Sequence, residues 1–188
     1  MSKCVLFGKG IELLGKGGVL SRMVDNMEQE LRKHRCCFTG HRPHKIGMDE
    51  ETVKELLRKA IKQAIEDGFV TFISGMAHGV DLWAAEIVLE ERKNNSFIHL
   101  ICASPYEGFE KKWDDSEKEL YHSIMEQADL VKFVCEHYFR GCYQVRNEWM
   151  VDRSARVIAV FNGEPSGTKN TVVYAQKKGV EVHNVLKK

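Results

Sequence analysis

The sequence predicts an α/β three-layer sandwich with a mainly parallel sheet, and three observations carry that prediction. From Arg35 onward, short apolar runs of strand length alternate with longer segments of helical periodicity. The strand-like runs are apolar throughout, as expected when both faces of a parallel sheet are covered. Two of the strand-to-helix turns, Ser74–Asp81 and Asn162–Thr171, are glycine junctions that also carry hydroxyl side chains. Right-handed crossovers would place every loop that follows a strand on one edge of the sheet. Open α/β folds bind their ligands at that edge.

Taken in order, residues 1–34 come before the alternation. CVLFGKGIELLGKGGVL is punctuated by glycine and Ser21–His34 has the make-up of a charged helix, so 1–34 reads as an N-terminal extension of uncertain structure. The domain proper is expected over 35–188. RCCFTG is its first strand, broken by the loop Gly40-His41-Arg42-Pro43-His44. Asp49 reads as a helix N-cap with Glu50 and Glu51 in the first turn. Val53, Leu56, Leu57, Ala60, Ile61, Ala64 and Ile65 then recur at helical spacing until Gly68 closes the helix. Val70–Ile73 is the second strand, and a helix is expected from near Gly79 to Asn94.

Phe97–Cys102 (FIHLIC) reads as the third strand and Ala103–Tyr106 as the loop at its end. A polar helix with Leu120, Ile124 and Ala128 on one face leads to a fourth strand, Leu130–Cys135. After the aromatic-rich loop Glu136–Tyr143 come a short helix over Gln144–Arg153 and a fifth strand, Arg156–Phe161. The loop Asn162–Asn170 precedes a helix ending near Gly179, and Val180–Val185 is the last strand.

With 188 residues, 43% of them hydrophobic and 29% charged, the chain is of ordinary globular make-up and long enough to bury a core. Its 28 Lys and Arg balance 27 Asp and Glu, so there is no basic surplus for wrapping a polyanion. No apolar run approaches a membrane span, and no signal-peptide pattern opens the chain. A cytoplasmic protein is therefore expected. The six cysteines include no CxxC pair and read as small core residues in a reducing compartment. No second ligand pair matches Cys36, Cys37, His41 and His44, so no metal is expected.

The chemistry lies in the loops. A helix start after Ser74-Gly75 would offer free N–H groups and the positive end of a dipole to an anion such as phosphate. Gly75 and Gly79 would let backbone approach a ligand, and Asp81 would accept from ribose hydroxyls. The plainer alternative is that the glycines only make the turn and Asp81 only caps the helix. The second junction offers the N–H groups and hydroxyls of Ser166, Gly167, Thr168 and Thr171 to a phosphate, with Lys169 adding charge. There the alternative is a helix capped by Thr168. Arg42, beside His41, suits bidentate contact with phosphate or carboxylate, or is a solvated surface residue. Tyr106, Trp83, Tyr138, Phe139 and Tyr143 are candidates to stack on a base, although Trp83 equally suits the core. Arg146, Asn147 and Asp152 read either as ligand contacts or as an internal ion-pair network.

The segments GHRP, SGMAHGVDLWAAE, SPY, YHSIMEQADL and RNEWMVDRSARVIAVFNGEPSGTKNTVVYAQKKG together resemble the YpsA-like branch of the SLOG superfamily. That superfamily also holds the Smf/DprA DNA-processing proteins and the LOG-type phosphoribohydrolases. The resemblance runs from Arg35 to Val185 and excludes residues 1–34. It implies a Rossmann-like fold whose glycine junctions bind a nucleotide or nucleotide-derived ligand of the NAD or ADP-ribose type. By position, the ligand-facing residues it implies are Gly40, His41, Arg42, Ser74, Gly75, Gly79, Asp81, Arg146, Asn147, Gly167, Thr168 and Thr171. The sequence departs from the LOG-type GGxGTxxE loop, because Thr171 stands at the Glu position and the paired glycines are missing. Without that carboxylate an oxocarbenium-like centre lacks its usual stabiliser, which weighs against phosphoribohydrolase activity.

The expectation is a small-ligand sensor or regulator with no required cofactor and no assigned catalytic residue. Two alternatives stay open. One is a hydrolase of a nucleotide N-glycosidic or phosphate bond using Asp81 or Asp152. The other is a single-stranded nucleic-acid binder, although nucleic acid is not the expected partner. A homodimer is left open.

Overall fold

The computed structural model describes the backbone of residues 17–187 and the side chains of 22–187. Six strands form one sheet: β1 (Arg35–Gly40), β2 (Thr71–Ser74), β3 (His99–Ser104), β4 (Leu130–Phe133), β5 (Arg156–Val160) and β6 (Glu181–Asn184). Their order is β4-β3-β2-β1-β5-β6 and every neighbouring pair is parallel. The chain steps outward from β1 to β4 and then crosses back to β5 on the other side of β1. The switch point thus lies between β1 and β5, and the fold is a Rossmann-like α/β sandwich.

Among the described residues seven helices complete it: α1 (Gly17–Lys33), α2 (Pro43–Ile46), α3 (Glu50–Glu66), α4 (Val80–Asn94), α5 (Asp115–Gln127), α6 (Cys142–Asp152) and α7 (Gly167–Lys177). Alternate residues of the four inner strands feed two separate cores, as strand geometry requires, whereas the edge strand β4 is largely exposed. Cys36, Phe38, Phe72, Leu100, Cys102, Ile158 and Val160 pack with α3, α4 and α5 on one face. Cys37, Ile73, Ile101, Ala103, Val157 and Ala159 pack with α6 and α7 on the other. Adjacent Cys36 and Cys37 therefore point into different cores. All five cysteines among the described residues are free and buried, and burial pushes the Cys37 and Cys102 thiols up to about 12. Cys4 lies outside the described residues.

Local signals act where the sequence places them. The Asp49 carboxylate accepts from Thr52 N–H at 2.9 Å and caps α3. Gly68, at φ 94°, ends it in the left-handed conformation that favours glycine. Helix α4 spans the predicted range. Strand β3 lies two residues further on than expected. Phe97, 75% exposed, belongs to a turn held by Asn95, while Ala103 and Ser104 pair with Lys132 and Phe133 of β4. The β1 loop contains the unexpected one-turn helix α2, started by Pro43 and closed by Gly47 at φ 74°. Strand β4 stops at Phe133, and α6 begins at Cys142 rather than Gln144.

Helix α1 covers the described part of the N-terminal segment. Arg32 Nε donates to the Ser154 carbonyl at 3.0 Å and Glu28 pairs with Arg35. Met23, Val24, Met27 and Leu31 are exposed. Among the described residues no helix is long and apolar enough to cross a membrane.

Candidate functional site

The loops that follow the strands leave the sheet at its C-terminal edge, and those after β1 and β2 are interlocked with each other and with α6. Three glycines allow this. A Cβ on Gly40 would overlap the Val80 side chain, so that glycine lets the first turn of α4 pack onto the end of β1. Gly79 sits at φ 88° with the Pro43 ring where a Cβ would come within 2.8 Å. A Cβ on Gly75 would collide with the Arg146 guanidinium and lie 2.6 Å from Asp81 Oδ2. The space in front of Gly75 is thus occupied by a side chain of this chain.

The β2–α4 turn is tied internally. Ser74 Oγ donates to the Asp81 carbonyl at 2.8 Å and accepts from Met76 N–H at 3.1 Å. Ala77 N–H donates to Asp81 Oδ2 at 3.2 Å. Buried Met76 has φ 58°, the only positive φ at a non-glycine among the described residues. Such a conformation is costly for a side chain of this size and persists only where the surroundings enforce it. Helix α4 has no side-chain cap at its N-terminus.

Arg146 enters from α6, one turn after the helix begins. It is 4% exposed and Asp81 is 7% exposed, with Nη1 to Oδ2 at 3.6 Å, an ion pair too long for a hydrogen bond. Nε and Nη1 of Arg146 are buried without a hydrogen-bond partner. Burial pushes the Asp81 carboxyl above the usual aspartate range, while Arg146 and the Ala77 N–H pull it back. Burial also lowers the Arg146 value, but a guanidinium starts so high that it remains a cation. Arg42 is exposed, and its Nη1 donates to the His78 carbonyl at 3.1 Å, joining the β1 loop to the β2–α4 turn. His78 in turn pairs with Glu117 of α5. Asn147 follows Arg146 and is half-buried.

His41 is 2% exposed, and neither ring nitrogen has a partner. Its ring stacks on Phe161 at 5.4 Å, which places it at the switch point. Burial lowers its pKa, opposed by nearby Glu164 and by the Asn162 side chain.

The β5–α7 junction is built otherwise. Ser166, not Thr168, caps α7, with its Oγ accepting from Lys169 N–H at 3.1 Å. Gly167 is exposed with nothing within 4 Å of where a Cβ would sit. Thr168 and Thr171 are buried, and the Thr171 hydroxyl donates to the Gly167 carbonyl at 3.0 Å. Tyr106, after β3, joins Tyr138 and Tyr143 in an aromatic cluster. Its hydroxyl lies 3.5 Å from that of Tyr143, whose pKa burial raises to about 12.

The structure therefore brings Gly75, Asp81 and Arg146 into contact and gathers Ser74, Gly79 and Arg42 around them. Ser166, Gly167, Thr168 and Thr171 form a separate group, linked to the first by the His41–Phe161 stack and by Asn162 Nδ2, which donates to the Lys45 carbonyl at 2.9 Å. Asp152 lies at the opposite end of α6, where it accepts from Tyr174 Oη at 3.1 Å and pairs with Lys178 at 3.2 Å. It is no site carboxylate. Met76 and His78 escaped the sequence reading, because neither residue type signals a strained turn or a bridging carbonyl. Among the described residues no group of three or more His, Cys, Asp or Glu side chains is placed to hold a metal ion.

A family model described as the YspA SLOG family matches residues 36–186. A UPF0398 protein of Bacillus thuringiensis (strain Al Hakam) is 29% identical over 154 residues, covering 78% of this chain and 84% of its own length. A UPF0398 protein of Bacillus cereus (strain Q1) matches to the same extent. Among solved structures, DNA processing protein A from Streptococcus pneumoniae superposes with a TM-score of 0.59 at 20% identity, over 81% of this chain. This chain spans half the length of that protein. DNA processing protein A from Helicobacter pylori, described for its single-stranded DNA binding mode, gives a TM-score of 0.58 at 19% identity, covering 84% of this chain and 67% of that one. These two likenesses speak to the fold.

Proposed function

Because the chain belongs to the YspA SLOG family, we propose that it binds a nucleotide-derived small molecule at the C-terminal edge of its sheet, as a cytoplasmic sensor or regulator. One observation carries the reading: the Arg146 guanidinium is buried against the β2–α4 turn, its Nε and Nη1 without a hydrogen-bond partner although Nη1 lies 3.6 Å from Asp81 Oδ2. A buried cation with unsatisfied donors is costly, and a bound anion would relieve it. The N-terminus of α4, which has no side-chain cap, favours the same charge. Phosphate suits both partners, since it accepts paired N–H bonds from Arg and single bonds from backbone.

Catalysis is not part of the proposal. Asp81 is engaged by Arg146 and Ala77, and Thr171 spends its hydroxyl on its own helix. To test the binding reading, purified protein is denatured and the supernatant searched for nucleotides by mass spectrometry. Empty protein is then screened against NAD, ADP-ribose, AMP and cyclic nucleotides by thermal shift. A ligand at a hundredfold above its dissociation constant should stabilise the fold by about 2.7 kcal/mol. Arg146→Gln should abolish that shift, and Gly167→Arg should do so only if the second junction also holds the ligand. No ligand and no shift would sink the reading.

The second reading is single-stranded DNA binding, favoured by the likeness in fold to the two DNA processing proteins. Binding of that kind should weaken steeply with salt, as contacts to phosphates require. Tight oligonucleotide binding without any nucleotide response would put this reading first.

A further inference from the structure

An aromatic wall stands beside Arg146, anchored in the core through Tyr106 and Phe109 and open to solvent at Tyr138 and Tyr143. Tyr143 lies three residues before Arg146 on α6, the spacing that puts two side chains on one face of a helix. Tyr106 and Tyr138 complete the wall, with ring centroids 5.7 Å apart, and Tyr143 lies 6.4 Å and 6.2 Å from them. Buried Phe109 backs it at 5.8 Å from Tyr106 and 5.6 Å from Tyr143, so the rings are held from behind. In front they are open: Tyr138 is 60% and Tyr143 42% exposed. On the other side of the site, the Phe161 ring is already stacked on His41.

We propose that this wall seats the base of the ligand, so that the recognised class is a nucleoside phosphate lying with its phosphate on Arg146 and its base towards β3 and β4. The inference rests on the anion-binding reading of Arg146 and adds a polarity to it. Stacking tolerates any base, and the tyrosine hydroxyls supply polar contacts at the ring edge.

The test compares ligands that share a phosphate and differ in the base. Calorimetry on the full chain measures AMP, GMP and UMP against ribose 5-phosphate. At least one nucleotide should bind more tightly than ribose 5-phosphate. Tyr138→Ala should weaken that nucleotide by about 5- to 150-fold, the range for loss of one stacked base, and leave ribose 5-phosphate unchanged. Tyr138→Phe should keep nucleotide affinity, and Tyr143→Leu provides a second probe of the wall. Equal affinity for nucleotide and ribose 5-phosphate, or equal loss of both in Tyr138→Ala, overturns the base seat and leaves the anion site standing. If neither class binds, the anion reading fails and takes the base seat with it. Tyr138-dependent binding of an oligo(dT) strand without mononucleotide binding overturns the proposal in favour of a strand-binding surface.

Discussion

At the β2–α4 junction Gly75 faces a buried guanidinium, Met76 is held at φ 58°, and the helix start carries no side-chain cap. At the β5–α7 junction Gly167 faces open space, Ser166 caps its own helix, and Thr171 bonds back to Gly167. In sequence both are a strand, a glycine turn with hydroxyls, and a helix. In structure the first concentrates backbone strain and buried donors without hydrogen-bond partners, whereas the second satisfies itself. Strain and unpaired donors persist only where the rest of the fold enforces them, and they gather at binding sites. The weight of the proposed site therefore falls on the first junction.

The largest expected effect comes from removing the charge that defines the first junction. Arg146→Leu leaves the Asp81 carboxylate buried beside an apolar side chain, which costs about 3–5 kcal/mol. Asp81 escapes part of that cost by taking a proton, and its pKa is already raised by burial from the ordinary 3.8. A carboxyl raised in the folded state contributes stability that is complete below its unfolded value and is lost as pH rises through the folded value. The deficit of Arg146→Leu against wild type should accordingly be larger at pH 8 than at pH 5 in urea melts. A pH-independent deficit would show that Asp81 does not sense the guanidinium.

A smaller effect separates the two glycines directly. Gly75→Ala drives a methyl into the guanidinium, and overpacking of this kind costs about 1–3 kcal/mol. In a chain of this length each kcal/mol moves the melting temperature by about 2–4 °C. Gly167→Ala enters open space at the first turn of α7 and should change the melting temperature hardly at all. Equal losses at both positions would erase the distinction between the junctions.

How much of this could be read beforehand depends on how local each cause is. Asp49, Gly68 and the apolar spacing of α3 act within a turn or two of themselves, and the structure places them as the sequence does. The convergence of the loops follows from handedness alone. Strand β3 shifts because FIHLIC is apolar over its whole length, and only the Asn95 turn and the partner β4 decide which residues pair. Helix α2 is one turn long and leaves no periodicity to read. The site glycines were legible as glycines, but not what fills the space they leave. Val80, Pro43 and Arg146 meet them from other segments, and no spacing rule reports that Arg146 would lie against Gly75. The sequence alone leaves that space to a ligand, whereas the structure fills it with the Arg146 side chain.

The smallest effect concerns the residue between the junctions. His41 is buried with both ring nitrogens unpartnered, and burial lowers its pKa from the ordinary 6.5. A depressed histidine contributes stability that is present above its unfolded value and is lost as pH falls through its folded value, because the unfolded chain binds the proton more readily. Wild-type protein should therefore lose melting temperature below pH 6.5. His41→Phe keeps a ring against Phe161 and removes the titration. Since apolar replacement of unpaired polar atoms is nearly neutral, its stability at pH 8 should lie within about 0.5 kcal/mol of wild type. The difference should then move in favour of the variant as pH falls towards 5. Parallel pH profiles for the two proteins would mean that the ring is satisfied in solution, by water or by a bound group, and that among the described residues the buried donors without hydrogen-bond partners belong to Arg146.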